Sequence, residues 1–256
     1  MNIGKFGRLW KSEKKDNEPS VRPKETEEQT KEFELMNKGN LYRMMFGQHA
    51  EAIKLYDQSL KINPRYGPAW YGKGVCLAVL GHPNEALKCY DKALQINPQD
   101  WNSWYGKGEV LGQLGRREEA LKCCEKSLEI QPQYAEAWNR KGQNLAALGQ
   151  YEEAIACHDK ALEINPQVAD FWASKGVSLS SFNRYEEAMN CYEKALEITP
   201  KMAEYWFHRG VAQDRLGLKK DTALSFRRFI ELAPAKPNRA ISQALDLASL
   251  WLRENK

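Results

Sequence analysis

Four cysteines recur at a constant spacing, and their thiols are the first candidates for chemistry in this chain. The first lies in the stretch KCYDKALQINP, and each of the others follows 34 residues later: they are Cys89, Cys123, Cys157 and Cys191. Equivalent positions in packed helices lie about 8–10 Å apart, whereas a disulfide needs Cα atoms within about 7 Å. Zinc needs about four converging ligands. We therefore interpret these cysteines as a repeated packing position, and we expect neither a disulfide framework nor a metal site.

One neighbourhood keeps the metal alternative open. Cys157 and His158 could face the adjacent pair Cys123 and Cys124 if their helices pack side by side. However, His158 falls in the same repeat position as Tyr90 and Tyr192. Packing of a ring in the core therefore explains this histidine better than metal binding.

No catalytic motif is present in the sequence. It lacks a Gly-rich phosphate loop, a G-x-S-x-G elbow and an H-E-x-x-H zinc motif. Three Glu-Glu pairs open predicted helices, where they favour the helix dipole. We expect a protein that is not an enzyme and needs no cofactor.

The cysteines belong to a repeat of 34 residues that runs through most of the chain. Three residue types return at this period from residue 67 onward: tryptophan (as in Trp70), glycine (as in Gly74) and proline (as in Pro98). Each unit predicts two helices. The second has apolar residues at offsets 0, 1, 4, 7 and 8 from Ala86, which is a helical stripe. One unit cannot bury its own stripe, so the units must stack into a continuous core.

These residues resemble the tetratricopeptide repeat family. The pattern W-x3-G-x2-L…A-x3-Y-x2-A-x4-P is carried in the second unit by Trp70, Gly74, Leu77, Ala86, Tyr90, Ala93 and Pro98. The first unit is degenerate, with Met36 and Asn40 in place of Trp and Gly. The sixth departs at Gln213 and Thr222, where Leu and Ala are expected.

The resemblance implies an all-α, right-handed superhelical solenoid of helix-turn-helix repeats with a C-terminal capping helix. We expect a disordered N-terminal segment at 1–31, six repeats within 32–234 and the capping helix at 237–256. The repeats are expected at about 33–66, 67–100, 101–134, 135–168, 169–202 and 203–236.

In this family the first helices line a concave groove that binds a peptide or a partner helix. The corresponding positions here predict a mostly apolar and aromatic groove with a polar middle. The predicted groove residues are Tyr71, Val75, Tyr105, Glu109, Asn139, Arg140, Gln143, Val177, Phe207 and Val211. Aromatic anchors and arginine are typical of interface hot spots, although packing between layers would also explain some of these side chains.

One subclass of the family is disfavoured. Its co-chaperones hold the C-terminal carboxylate of a chaperone tail with five Lys, Asn and Arg side chains. In the best register those places hold Tyr71, Val75, Gly106, Glu136 and Arg140. Since only Arg140 fits, carboxylate-clamp binding is not expected.

A column of cations recurs on the first helices, as in Lys73 and Lys107, beside an acidic column that includes Asp91. Five stacked cations could bind an acidic partner, but pairing with the acidic column is the favoured interpretation.

Charge and composition limit the remaining roles. The net charge of +4 resides in residues 1–15, and residues 16–256 carry 33 basic and 33 acidic side chains. A neutral body argues against nucleic-acid binding. No apolar run approaches the ~18 residues of a membrane span, and the N-terminus lacks the apolar core of a signal peptide. We expect a cytoplasmic protein.

The N-terminal residues 1–12 could form a short basic amphipathic helix. Its apolar side chains would be Ile3, Phe6, Leu9 and Trp10. Such a helix could touch an anionic membrane surface weakly, dock on a larger complex or fold back on the repeats. A disordered basic terminus is the equal alternative.

The sequence therefore predicts a non-catalytic scaffold or adaptor that binds a protein or peptide partner in the groove. The alternative is a structural or assembly subunit that self-associates, or that docks through its N-terminal segment.

Overall fold

Thirteen α-helices and no strand make up residues 27–255, the part of the chain that the computed structural model describes. The first twelve form six consecutive pairs. The first helices of the pairs are α1 (Glu27–Phe46), α3 (Gly67–Val79), α5 (Trp101–Gln113), α7 (Ala135–Ala147), α9 (Ala169–Ser181) and α11 (Ala203–Arg215). The second helices are α2 (His49–Ile62), α4 (Pro83–Ile96), α6 (Arg117–Ile130), α8 (Tyr151–Ile164), α10 (Tyr185–Ile198) and α12 (Lys219–Leu232). The last helix is α13 (Arg239–Glu254). The predicted all-α class is confirmed.

From α3 to α11, each first helix packs against the second helix of its own pair and that of the preceding pair. Tyr90 shows how the repeated residues allow this. Its buried ring lies between α3 and α5, and a Cβ added at Gly74 would be only 2.9 Å from its Cε1 atom. A Cβ at Gly106 would be 2.8 Å from its Cζ atom. Glycine on both helices therefore makes room for the ring, and the core runs without interruption from one pair to the next.

The turn within each pair needs a left-handed residue. Gly81 has φ +80° there, and Gly115, Gly149 and Gly217 lie between +73° and +82°. In the fifth pair Asn183 takes this place with φ +60°. Asparagine is among the few residues besides glycine that adopt this conformation at modest cost, so the fifth turn keeps the geometry of the others.

In every pair after the first, a tryptophan connects the first helix to the loop before it by a hydrogen bond. The Nε1 group of Trp70 donates a hydrogen bond to the carbonyl oxygen of Pro64, six residues earlier, at 2.9 Å. The same bond recurs at 2.8–2.9 Å for Trp104, Trp138, Trp172 and Trp206. The indoles are half-buried, so they connect helix and loop in addition to filling space between layers.

The basic column pairs with the acidic column, as predicted. Lys107 Nζ lies 2.6 Å from Asp91 Oδ1, and the equivalent pairs are Lys73–Asp57 at 2.6 Å, Lys141–Glu125 at 3.0 Å and Lys175–Asp159 at 2.6 Å. Arg209 differs, since its Nε donates to Ser225 Oγ at 3.1 Å. The four lysines are therefore already paired within the fold, which argues against an acidic partner on this column.

All six cysteines are buried and none forms a disulfide. Cys89 and Cys123 lie in one apolar cluster with Tyr90 and Leu111. Burial raises the pKa of both thiols to about 11, so neither is a ready nucleophile. The packing interpretation is supported. Within residues 27–255, no group of three or more His, Cys, Asp or Glu side chains is placed to hold a metal ion.

The N-terminal pair departs from the expected register. Helix α1 begins at Glu27, so residues 27–31, which were expected to lie in a disordered segment, are helical. A Cβ at Gly39 would be 2.7 Å from Tyr56 Cε1, which is the contact that Gly74 makes with Tyr90. Gly39 therefore takes the glycine position that the strict period assigned to Asn40. Asn40 instead accepts a hydrogen bond from the Tyr56 hydroxyl at 2.7 Å.

The C-terminal pair accommodates its polar departures by hydrogen bonding. Buried Gln213 accepts from Ser225 Oγ at 2.7 Å, and the Thr222 hydroxyl donates to the Leu218 carbonyl at 3.0 Å. Helix α13 then packs on α11 and α12 through an apolar cluster that includes Ala248. None of the described helices is long and apolar enough to span a bilayer.

Candidate functional site: a pocket between the first helices

An open pocket lies between the first helices of four consecutive pairs. Its volume is about 680 Å³, and its walls come from α5, α7, α9 and α11, together with the residue that precedes α9. We call it the first-helix pocket. Five of the predicted groove residues line it: Tyr105, Asn139, Arg140, Gln143 and Val177.

The other predicted groove residues lie elsewhere. Tyr71 packs against Tyr90 with ring centroids 6.2 Å apart, and Val75 packs on the same apolar cluster. Glu109 is not among the lining residues and forms an ion pair with Arg140. Phe207 stacks against Phe226 at 5.9 Å, and Val211 packs on the same C-terminal cluster. Of the three aromatic residues among the predicted groove residues, Tyr71, Tyr105 and Phe207, only Tyr105 lines this pocket.

A chain of polar contacts crosses the pocket wall from one first helix to the next. Arg140 Nη2 donates to Glu109 Oε1 at 2.6 Å, and Arg140 Nη1 donates to Gln143 Oε1 at 2.9 Å. The Gln143 amide then donates to Ser174 Oγ at 2.9 Å. These bonds connect α5, α7 and α9, so the polar middle that the sequence predicted is a pre-organised network. The charge of Arg140 is matched by Glu109.

A buried histidine, His158, hydrogen-bonds two of the residues that line the pocket. The two ring nitrogens of His158 hydrogen-bond Asn139 Oδ1 at 2.8 Å and Ser178 Oγ at 3.1 Å. Burial lowers its pKa to about 4, and Lys175 acts in the same direction. The ring is therefore neutral near pH 7. It orients Asn139 and Ser178, both of which line the pocket.

Three carboxylates at one edge of the pocket were not among the predicted groove residues. Glu136, Asp170 and Glu204 are exposed, line the pocket and occupy the second position of α7, α9 and α11. We call these three residues the acidic rim. Their common period of 34 was visible in the sequence, but an acidic residue in a first helical turn is ordinarily explained by the helix dipole.

Further lining residues add aromatic and small polar surface. Besides those already named, they include Phe171, Ser174, Ser181, Tyr205 and His208. The Tyr205 hydroxyl donates to Asp170 Oδ1, which connects α11 to α9. Burial lowers the pKa of His208, so this side chain adds no positive charge near pH 7. The pocket therefore combines aromatic walls, serine hydroxyls and a negative rim.

The predicted N-terminal docking residues Ile3, Phe6, Leu9 and Trp10 lie outside the described residues.

Sequence profiles of the tetratricopeptide repeat match nearly all of the described chain. The matched residues are 35–66, 67–100, 102–167, 133–201 and 174–237. The comparison with curated proteins found no significant match.

Solved structures share the fold at low sequence identity. The chain superposes on the crystal structure of the APC/C hetero-tetramer Cut9-Hcn1 with a TM-score of 0.75 and 19% identity, and the match covers 85% of this chain and 42% of that one. The chain thus spans less than half of that protein. A structure of Pseudomonas aeruginosa pilF gives 0.74 at 15% identity, covering 88% and 99%. YrrB, described as "a TPR protein with an unusual peptide-binding site", gives 0.54 at 27% identity, covering 65% and 85%.

Proposed function

This chain belongs to the tetratricopeptide repeat family, and we propose that it is a non-catalytic scaffold that binds a partner protein through the first-helix pocket. One observation carries the proposal. Side chains of four consecutive first helices converge on an open pocket that already holds an ordered polar network. A cytoplasmic location is part of the proposal.

The pocket has the features of a recognition surface. Tyr105 and Val177 supply apolar contact area, and Val177 is 40% exposed without a partner in the core clusters. Arg140 and Gln143 are held in place by Glu109 and Ser174, so little side-chain entropy is lost when a ligand binds them. An extended segment or one helix of a partner would contact several pairs at once.

The test uses two photo-crosslinking positions that differ in their place on the fold. A photoreactive phenylalanine analogue replaces Val177 in the pocket or Leu224 on α12, which is 52% exposed outside it. Irradiation in a native extract, followed by mass spectrometry, should give a discrete adduct from position 177 and none of the same mass from position 224. Identical adduct patterns at both positions would contradict the proposal.

A substitution that fills the pocket provides a second test, in which the affinity for the crosslinked partner is measured. Val177→Trp should occupy the pocket without removing any hydrogen bond of its wall, and it should weaken partner binding at least about tenfold. Leu224→Trp adds the same ring outside the pocket and should leave binding unchanged. Equal affinity for both variants would show that the partner binds elsewhere.

A second candidate function rests on a different surface. Three apolar side chains at the end of α1 are strongly exposed: Met44 and Met45 at 71% and Phe46 at 59%. Exposed apolar groups in a cluster are typical of association surfaces, so self-association into a structural or assembly subunit is the alternative. Light scattering across protein concentration separates the two, because self-association predicts growth in mass without a partner.

A further inference from the structure

The acidic rim gives the first-helix pocket a negative charge that no cation of its wall offsets. Arg140 is the one lysine or arginine among the described lining residues, and it is already paired with Glu109 at 2.6 Å. His208 is neutral near pH 7 because burial lowers its pKa. Glu136, Asp170 and Glu204 therefore determine the sign of the field at the pocket edge.

The cations of the first helices cannot neutralise the rim, because they are engaged elsewhere. Lys141 of α7 lies 3.0 Å from Glu125, and Lys175 of α9 lies 2.6 Å from Asp159. Arg209 of α11 donates to Ser225 and lies over the ring of Trp206 at 4.6 Å. The rim is left to attract a charge supplied by the ligand.

From this arrangement we infer that the first-helix pocket selects a cationic segment of its partner, an extended stretch with lysine or arginine side chains at regular spacing. The inference rests on the proposed function and specifies the chemistry of the partner. A rim carboxylate would pair with the charged head group of a lysine or arginine, and the aromatic walls would pack against its aliphatic stem. Tyr105 and Phe171 line the same pocket, and aromatic faces attract cations while the aliphatic stems of lysine and arginine cover apolar surface.

The spacing of the rim sets the spacing of the cations. Helices α7 and α9 are in direct contact through Gln143 and Ser174, and α9 and α11 through Asp170 and Tyr205. Helices in contact lie about 8–10 Å apart. A polyproline-type segment advances about 9 Å per turn of three residues. A cation at every third residue of such a segment therefore meets one rim carboxylate per pair.

Helix stabilisation alone does not account for the rim. Helices α3 and α5 carry Pro68 and Asn102 at the same position, so a first helix of this chain forms without a carboxylate there. The acidic residues occur on three of the four first helices that line the pocket, α7, α9 and α11. Their coincidence with the pocket is what points to a ligand.

The probes are three fluorescein-labelled nine-residue peptides built on one proline- and alanine-rich frame. The first carries lysine at positions one, four and seven, the second carries glutamate there, and the third carries glutamine. Fluorescence anisotropy with the full chain at low salt measures their affinities. We expect the lysine peptide to bind about tenfold more tightly than the glutamine peptide, from about a twofold gain for each exposed ion pair. The glutamate peptide should bind more weakly than either, and salt should reduce these differences.

A matched pair of charge variants locates the effect. Glu136→Gln, Asp170→Asn and Glu204→Gln together remove the rim charge and keep the shape of the side chains. Glu118→Gln, Glu152→Gln and Glu186→Gln together remove the same charge from exposed first-turn positions of the second helices, outside the pocket. The lysine peptide should lose about tenfold in affinity with the first triple variant and less than twofold with the second. Equal losses would reduce the effect to net charge and overturn the inference.

The outcomes also separate this inference from the proposed function. If all three peptides bind equally and Val177→Trp abolishes the binding, the pocket is a binding site and the charge selection is wrong. If Val177→Trp leaves every peptide bound as before, neither proposal holds. If the lysine peptide binds only after Lys5, Arg8 and Lys11 are changed to glutamate in the full chain, the basic N-terminal segment of this chain occupies the pocket. That result would overturn the assignment to a separate partner.

Discussion

The stability of the fold should depend on the protonation of one buried side chain, His158. The ring is fully buried, and both of its nitrogens are used by Asn139 and Ser178. Burial, assisted by Lys175, lowers the pKa of this imidazole to about 4 from its ordinary value of 6.5. The folded chain therefore keeps the ring neutral over a range of pH in which the unfolded chain protonates it.

The size of the effect follows from this difference in pKa. About 2.5 units at about 1.4 kcal/mol per unit correspond to a total of about 3 kcal/mol. Because the folded pKa lies below the unfolded one, the unfolded state binds more protons between them. Stability is therefore fully present above about pH 6.5 and is lost as the pH falls toward about 4. Between about pH 7 and about pH 5, His158 should account for a loss of about 2 kcal/mol.

A comparison variant without this titration can be built from the neighbouring repeats. Tyr90 occupies the position of His158 in the second pair, where the opposing residue of the next pair is Gly106; here that residue is Ser174. A Cβ at Gly106 would lie 2.8 Å from the Tyr90 ring, so His158→Tyr alone should clash with Ser174. The double variant His158→Tyr with Ser174→Gly removes the clash and restores the tyrosine–glycine contact that Tyr90 and Gly106 make.

Urea denaturation followed by circular dichroism at about pH 7, 6 and 5 measures the effect. The native chain should lose about 2 kcal/mol more over this range than the double variant, since the carboxylates that titrate at lower pH are common to both. At pH 7, His158→Tyr alone should be the least stable of the series. Equal pH dependence of the native chain and the double variant would refute the assignment of the titration to His158.

Three further predictions concern the packing of the repeats. Gly142→Ala should reduce the free energy of unfolding by about 1–3 kcal/mol, because its Cβ would lie 2.9 Å from the carbonyl oxygen of Ala154; an unchanged urea midpoint would contradict this. Trp138→Phe removes the 2.9 Å hydrogen bond to the carbonyl oxygen of Pro132 and should lower the free energy of unfolding by about 1 kcal/mol in the same assay. No loss would show that water replaces the indole as the donor to this carbonyl. The thiols should barely react with Ellman's reagent in the native chain, since all six are buried and the pKa of each is raised by that burial. Six should react in guanidinium chloride, and rapid native labelling would show that the core opens readily.

The periodic part of the fold was predictable because one set of local rules repeats. The spacing of Trp70 and Gly74 predicted the helix pairs, and the alternation of charge predicted that Lys107 pairs with Asp91. The Trp hydrogen bond to a proline carbonyl was not predicted, although both residue types recur at the same period. Its geometry depends on how the loop turns into the helix, and residue spacing alone does not specify that path.

The ends of the array were predicted less well because they lack a neighbour to impose the period. Helix α1 accommodates one more residue before its turn, so Gly39 takes the position assigned to residue 40. At the other end, Phe207 lies 5.1 Å from Phe229, in the apolar cluster that α13 joins. A groove position inferred from a middle repeat cannot be transferred to a helix that a terminal element covers.

The chemistry of the pocket is coupled to the packing of the core behind it. Where the second helix carries Tyr56 or Tyr90, the opposing first helix needs glycine, at Gly72 and Gly106. Where it carries Cys124 or His158 instead, the opposing positions hold Arg140 and Ser174.

Arg140 and Ser174 supply the polar wall of the pocket. A smaller buried side chain on the second helix thus allows the first helix to carry a polar side chain that lines the pocket. The fifth pair uses another solution, in which Tyr192 stacks on His208 at 5.8 Å. In the recognition proposed above, His158 and Cys124 act indirectly, because they determine which first-helix positions can carry pocket-lining side chains.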